Sequence, residues 1–293
     1  MTTLTNRSIA LSAGVASDLM RLGLPAQEVD RAILSICGAL IRAGATVIYS
    51  GDIRPEGFTY KLFRHLAGLY AGQDVQPFSL FMPEHVARAL NYEQLSAAAL
   101  STASVSTINI VLRDNLLRVR RDEDGLFFIS GTCRHRVTND TELEEAFGSN
   151  EVQSVADSLS TARSAVTQAC QARILIGGKM GIFDCPGDQF DGGMPGIIEE
   201  ALQTLQADKW VLPLSAFGGA TRDLSIALGL LPLSQRVPRG MQDGRYATAL
   251  ERVDVFVHHP HVTRLASDGQ FLHSDQVEYV GHRIVRLLQD AIA

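Results

Sequence analysis

Short apolar runs alternate along this chain with stretches of helical period, the pattern of a mostly parallel sheet covered by helices on both faces. Ile9–Ser12 is apolar and runs into Ala13 and Gly14. From Glu28 to Arg42, Val29, Ile33, Ile36, Leu40 and Ile41 recur at helical spacing, and Gly44 follows as a C′ residue. A strand is expected over Ala45–Tyr49, stopped by Ser50, Gly51 and Asp52, then a helix over Thr59–Tyr70. Further strands are predicted at Pro77–Met82 and Val105–Val111, with a short helix at Tyr92–Leu100 between them. Leu116–Val119 and Leu126–Ile129 flank Asp122, Glu123, Asp124 and Gly125, which reads as a β-hairpin inserted in the sheet or at its edge. Gly125–Ser154 is polar enough to be expected irregular or exposed.

The second half restarts with an amphipathic helix over Val152–Gln171 that feeds a strand at Arg173–Ile176. Its face of Val155, Leu159, Ala162 and Val166 is a candidate for burial against the sheet or another subunit. After a glycine-rich loop, Ile197–Gln206 is expected helical, with Pro195 in the first turn. Trp210–Leu214 reads as a strand, Gly218 and Gly219 open a helix reaching Gly229, and a strand at Asp254–His258 precedes a terminal helix at Gln276–Ala291. The fold class is therefore α/β, a Rossmann-like mostly parallel sheet with helices on both faces and a β-hairpin insertion. It is expected as a single domain over 1–293, with the candidate insertion at 113–150.

Gly14, Gly51, the pair Gly177 and Gly178, and the pair Gly218 and Gly219 each fall just after a strand and just before a helix. In an open α/β sheet that is the edge where ligands bind. Glycine lets backbone approach closely, and the free N–H groups and dipole of a helix amino terminus attract anions. Four such turns argue for a phosphate-bearing ligand, although a tight βα turn needs glycine for structural reasons too.

Charge narrows the partners. The 293 residues carry a net charge of −6, so no chain-wide positive field exists to attract nucleic acid or anionic lipid. No apolar run approaches the roughly 18 residues of a membrane span, and the first residues lack a secretory pattern. Cys37, Cys133, Cys170 and Cys185 show no paired spacing and read as reduced thiols in a cytoplasmic protein. His258, His259 and His261 match no zinc spacing and read as a solvated loop, so no metal is expected. Cys185 has no base beside it in sequence and is not expected to act as a nucleophile.

The ordered combination Leu11-Ser12-Ala13, Tyr49-Ser50-Gly51, Ile176-Gly177-Gly178-Lys179, Pro195-Gly196-Ile197-Ile198-Glu199-Glu200-Ala201 and Phe217-Gly218-Gly219-Ala220 resembles the SLOG superfamily over about residues 7–230. That superfamily groups LOG-type, lysine decarboxylase-like phosphoribohydrolases with nucleotide-sensing domains. The LOG motif PGGxGTxxE looks split here: the paired glycines stand with Lys179, and Gly196 to Glu200 matches only the GTxxE end, with Ile197 in the threonine position. That departure sits better with the branch that binds ADP-ribose or its cyclised forms, similar to domains of Thoeris-type antiphage effectors and the amino end of TRPM channels.

Lys179 can reach over a phosphate as a compact charge or stand as an ordinary surface lysine. Glu199 and Glu200 sit where carboxylates oppose a helix dipole without further function, while one of them, by motif position Glu200, can face a ribose hydroxyl. Arg222 can fork a phosphate or pair with Asp223. Asp52 and Arg54 follow the second strand, where an acidic group either caps a turn or, in nucleotide folds, binds ribose. Two function classes share this pocket. In a nucleotide sensor, Ser12, Asp52 and Glu200 approach ribose while Gly177, Gly178, Lys179, Gly218 and Gly219 hold phosphate. In an N-glycosidic hydrolase, Glu200 is the catalytic carboxylate. No cofactor is required in either. A sensor with no appended effector implies a homo-oligomer or a separate effector protein.

Overall fold

The computed structural model describes residues 3–50, 62, 76–122, 125–148 and 152–292. In chain order the elements are β1 (Ser8–Gly14), α1 (Gln27–Arg42), β2 (Thr46–Ser50), β3 (Phe78–Pro83), α2 (Glu84–Arg88), α3 (Tyr92–Thr102), β4 (Ser106–Val111), β5 (Leu116–Asp122), β6 (Gly125–Ser130), β7 (Cys133–Val137), α4 (Asp140–Phe147), α5 (Val155–Ala169), β8 (Ala172–Gly177), α6 (Gly196–Gln206), β9 (Trp210–Leu214), α7 (Gly219–Ala227), α8 (Gly244–Asp254), α9 (Pro260–Asp268) and α10 (Val277–Ile292). The fold is mixed α/β and Rossmann-like. The helix expected over Thr59–Tyr70 lies, apart from Leu62, outside the described residues.

The chain divides into two compact units, residues 1–45 with 167–293, and residues 46–166. In the first, β1 and β9 flank β8, and both pairs are parallel, with Gly14 opposite Gly177 at the carboxyl ends of β1 and β8. All six residues of β8 and all five of β9 are buried, the continuous apolar run of strands covered on both faces. Helix α10 places Val277, Val280, Ile284, Leu287 and Leu288 on one buried stripe and packs on α1. The helices approach closely at Gly281, where a side-chain carbon would stand 3.3 Å from the Ala39 methyl. Each such burial contributes about 1.5–3 kcal/mol.

In the second unit β2, β3 and β4 run parallel and β5, β6 and β7 continue antiparallel. The hairpin is the expected one. Gly125–Ser154, by contrast, is largely ordered: it carries β6, β7 and α4, the last capped by the Asn139 side chain accepting the Glu142 N–H at 2.9 Å. Strand β7 lacks apolar alternation because four of its five residues are exposed.

The strand expected at Asp254–His258 is absent. Helix α8 runs through Asp254, burying Tyr246, Ala249 and Val253 at helical spacing, and Val255 stands exposed in the turn beyond it. Helical packing of Tyr246, Ala249 and Val253 against the core of α6 and α7 decides the local structure over the short apolar stretch that follows. Pro195 lies one position before the helix, as the N-cap of α6 with an extended ψ of 129°. In α5, Ala162 and Val166 are buried within the chain, whereas Val155 is exposed. Among the described residues no helix is long and apolar enough to cross a membrane.

Candidate functional site

Three βα turns of the first unit meet at the carboxyl ends of β1, β8 and β9. The N–H of Gly178 donates to the carbonyl of Gly14 at 2.9 Å, and the N–H of Ala220 donates to the carbonyl of Gly178 at 3.2 Å. Gly177, at φ +63°, faces the Gly14 carbonyl so closely that any β-carbon would overlap it. Gly219, at φ +62°, lies against the backbone of Gly177 and Gly178, and a β-carbon there would meet Gly177 C at 2.8 Å and the Ala16 methyl at 2.7 Å. Glycine is needed at both positions for conformation and for space. Gly178 is covered by Ile197, in the first turn of α6. An apolar residue stands where the resemblance would place a threonine because it packs on this glycine.

Glycines 14, 177, 178, 218 and 219 are thus brought together, and the amino termini of α6 and α7 converge with them. At the start of α7 the backbone donors of Gly218, Gly219 and Ala220 are each taken, by the Ser215 carbonyl, Asp18 and the Gly178 carbonyl. Asp18, in the segment between β1 and α1, is buried, and its Oδ1 accepts the N–H of Gly219 at 2.8 Å. It supplies from a distant part of the chain the carboxylate that favours a helix amino terminus. Its Oδ2 is buried with no hydrogen-bond partner. Burial raises the Asp18 pKa above the ordinary aspartate value, opposed by the Gly219 hydrogen bond and the charge of Arg239. A second buried carboxylate, Asp188, takes the N–H groups of Met180 and Ile182 on one oxygen, at 3.0 and 2.9 Å, and so shapes the loop after Gly178.

The other expected residues separate into distinct environments. Ser12 and Glu200 converge on Arg173, a fully buried arginine: its Nη1 lies 3.3 Å from Ser12 Oγ and 3.3 Å from Glu200 Oε2, and its Nη2 donates to Thr167 Oγ1 at 2.8 Å. Glu199 is buried on α6, with Gln203 Nε2 at 3.4 Å. Gly196 is the first residue of that helix. Lys179 is exposed beside the glycine turns, with no side-chain partner among the described residues. Arg222 is neither a free phosphate fork nor paired with Asp223. It donates to the Ser215 carbonyl at 3.1 Å, the Gln235 carbonyl at 2.7 Å and Gln235 Oε1 at 2.7 Å, holding the loop after α7. Asp223 is taken instead by Arg239, by Tyr246 Oη at 2.7 Å and by Arg236 at 3.5 Å. Gly51, Asp52 and Arg54 lie outside the described residues.

A family model described as SLOG cluster2 matches residues 3–243. The chain belongs to the SLOG superfamily. That match spans β1 through the loop that precedes α8, and so includes every turn of the SLOG glycine rim. A search of curated proteins finds no match. No described cavity of this SLOG chain is lined by Gly177, Gly178, Gly218 or Gly219. The nearest in sequence, about 390 Å³, is lined by Ile226, Arg236, Gln242, Tyr246 and Leu250 on α7, α8 and the intervening loop.

Sequence reasoning missed Asp18, Asp188 and Arg173. Asp18 follows no motif, and its partner is 201 positions away. Arg173 is the first charged side chain in an otherwise apolar strand, an anomaly that flags a buried ion pair.

Proposed function

We propose that this SLOG protein is a sensor for a nucleotide-derived ligand of the ADP-ribose class, and that the described conformation is its closed state. The reading rests on one observation, the buried carboxylate of Asp18 on the amino terminus of α7, where three glycine turns meet. A carboxylate there occupies the position in which a helix amino terminus binds phosphate. Ligand phosphate would exchange with Asp18, swinging out the segment between Gly14 and Gly23. That segment already exposes Val15 and Met20 and is fastened at its far end by Arg21 donating to the Pro238 carbonyl. Lys179 would close over the anion, and Gly196, Glu199 and Ser12 would border the ribose side.

Binding is favoured over N-glycosidic hydrolysis because Glu200 is engaged by the buried Arg173, which fixes the carboxylate in the core rather than beside water. The output of such a sensor is a change of assembly, as a homo-oligomer or with a separate effector protein, of the kind used in antiphage defence.

The test is incubation with ADP-ribose, cyclic ADP-ribose, NAD and nucleoside monophosphates, following melting temperature and free base by chromatography. Stabilisation by one of them without release of base, weakened in Lys179→Ala, is the expected result. Release of base that disappears in Glu200→Gln, at a temperature where its melting curve shows that variant folded, would establish the hydrolase instead. No stabilisation and no turnover across the panel, in the wild type and in Asp18→Asn, would overturn both.

A further inference from the structure

We infer that Asp208, His259 and His261 form a binding site for a divalent first-row transition-metal ion, separate from the glycine turns. Asp208 is the residue in the turn from α6 to β9 that takes a left-handed conformation, φ +55°. His259 is the N-cap of α9 and His261 lies in its first turn, 53 positions beyond Asp208. Asp208 stands far from the histidines in sequence. The fold brings it to them.

The carboxylate stands at coordination-shell spacing from both imidazoles, and His261 Nε2 also lies 3.2 Å from the Asp208 backbone carbonyl. Asp208 Oδ1 lies 3.2 Å from His259 Nε2 and 3.5 Å from His261 Nε2. The three ligand atoms all fall within 4.8 Å of one another. Ligand bonds of about 2.0–2.1 Å in a tetrahedron place neighbouring donor atoms about 3.3 Å apart, so a zinc-sized ion needs little rearrangement here. Two imidazole nitrogens and one carboxylate oxygen suit zinc, nickel or copper better than magnesium or calcium.

Neighbouring contacts hold the ligands in place. The His261 ring stacks on Trp210, with centroids 4.3 Å apart and planes 27° from parallel. Lys209, adjacent to Asp208, turns its ammonium away to the Thr167 and Gln168 carbonyls at 2.5 and 3.1 Å, so its charge does not stand in the site. The Asp208 side chain is 83% exposed, which leaves the remaining coordination position to water or an incoming ligand. His259 Nδ1 is buried without a hydrogen-bond partner. A metal-bound histidine normally donates from that nitrogen, and its absence lowers affinity by about 10–100-fold against a completed outer shell.

The cluster precedes β9, whereas the glycine turn follows it, and five residues of strand separate the two by about 17 Å. Metal at this point clips the α6–β9 turn to the start of α9. It does not depend on the sensor reading.

The experiment uses the full chain, untagged and stripped with chelator. Zinc is titrated by calorimetry and by melting temperature, and copper by quenching of Trp210, the only tryptophan in the sequence. One zinc per chain with a raised melting temperature, and saturable copper quenching, are expected. Asp208→Asn suits the left-handed backbone, and His261→Phe keeps the stack on Trp210. Each should weaken zinc at least about tenfold, the least that even an outer-shell loss costs, without changing the fold of the metal-free chain. Absence of zinc binding up to millimolar concentration, or an affinity that neither substitution changes, would overturn the site.

Discussion

Asp18 caps Gly219 across 201 positions of sequence, its carboxylate 2.8 Å from the first N–H of α7. If a ligand phosphate competes for that seat, neutralising the carboxylate removes the charge that competes with it while an amide oxygen still accepts the N–H. Asp18→Asn is therefore expected to bind the phosphate-bearing ligand roughly 2- to 30-fold more tightly, the equivalent of ~0.3–2 kcal/mol of helix-terminus interaction. Calorimetric titration of variant and wild type checks this. Equal affinities would show that Asp18 is a structural cap that the ligand never displaces.

The same carboxylate leaves a mark on pH dependence. Burial raises its folded-state pKa above the ordinary 3.8, so the folded chain holds the proton more firmly than the unfolded chain. The stability this contributes is complete below that ordinary value and is lost as pH rises through the raised one. Denaturant unfolding from about pH 4 to about pH 7 should show Asp18→Asn gaining stability relative to wild type as pH increases. A constant difference across that range would contradict the buried, proton-favouring environment.

Two glycines with similar backbone conformation separate strain from space. Gly177 and Gly23 have φ of +63° and +78°, but a β-carbon overlaps the Gly14 carbonyl at the first and meets nothing within 4 Å at the second. Gly23→Ala should cost only the left-handed penalty, about 1–2 kcal/mol. Gly177→Ala adds overpacking of backbone on backbone, a further ~1–3 kcal/mol. Urea unfolding of the two variants measures the gap, and equal losses would mean the turns at Gly14 and Gly177 are not packed as described.

What was legible in the sequence follows from how local each cause is. The glycines of the rim announce themselves because a tight turn after a strand is fixed by its own residues. Strand β8 and helices α1 and α6 follow from periodicity alone. Asp18 was not legible because its role is defined by Gly219, and Asp208 only gains meaning beside His259 and His261. Strand β7, Cys133–Val137, hides because an exposed edge needs no apolar alternation. Asp254–His258 reads as a strand from its short apolar stretch, whereas the burial of Tyr246, Ala249 and Val253 at helical spacing carries a helix through Asp254.

Glu200 distinguishes a structural carboxylate from a catalytic one. Its partner Arg173 is fully buried, so neutralising Glu200 removes compensating charge from a guanidinium that water cannot reach. Glu200→Gln should lower stability by up to about 3–5 kcal/mol, and Arg173→Met together with Glu200→Gln should recover part of it. A carboxylate serving only catalysis would leave unfolding midpoints unchanged when neutralised.

Asp223, on α7, holds the loop that follows that helix through Arg239 and Arg236 and the first turn of α8 through Tyr246. Burial and the adjacent Asp223 charge push the Tyr246 phenol well above its ordinary value, so it stays protonated and keeps donating to Asp223. Alkaline titration of the folded protein should leave this tyrosine silent until the chain unfolds. Tyr246→Phe keeps the ring and deletes the donor, which should cost about 1.5–3 kcal/mol, the range for a hydrogen bond to a charged group. Asp223→Asn strips the charge from under the buried Arg239 and should cost more, about 3–5 kcal/mol. Because Asp223 lies one turn along the helix from Gly219, the two variants also test whether the loop braces the rim. If it does, Asp223→Asn should speed amide exchange at Gly219 as well as in the loop, and Tyr246→Phe should do so less.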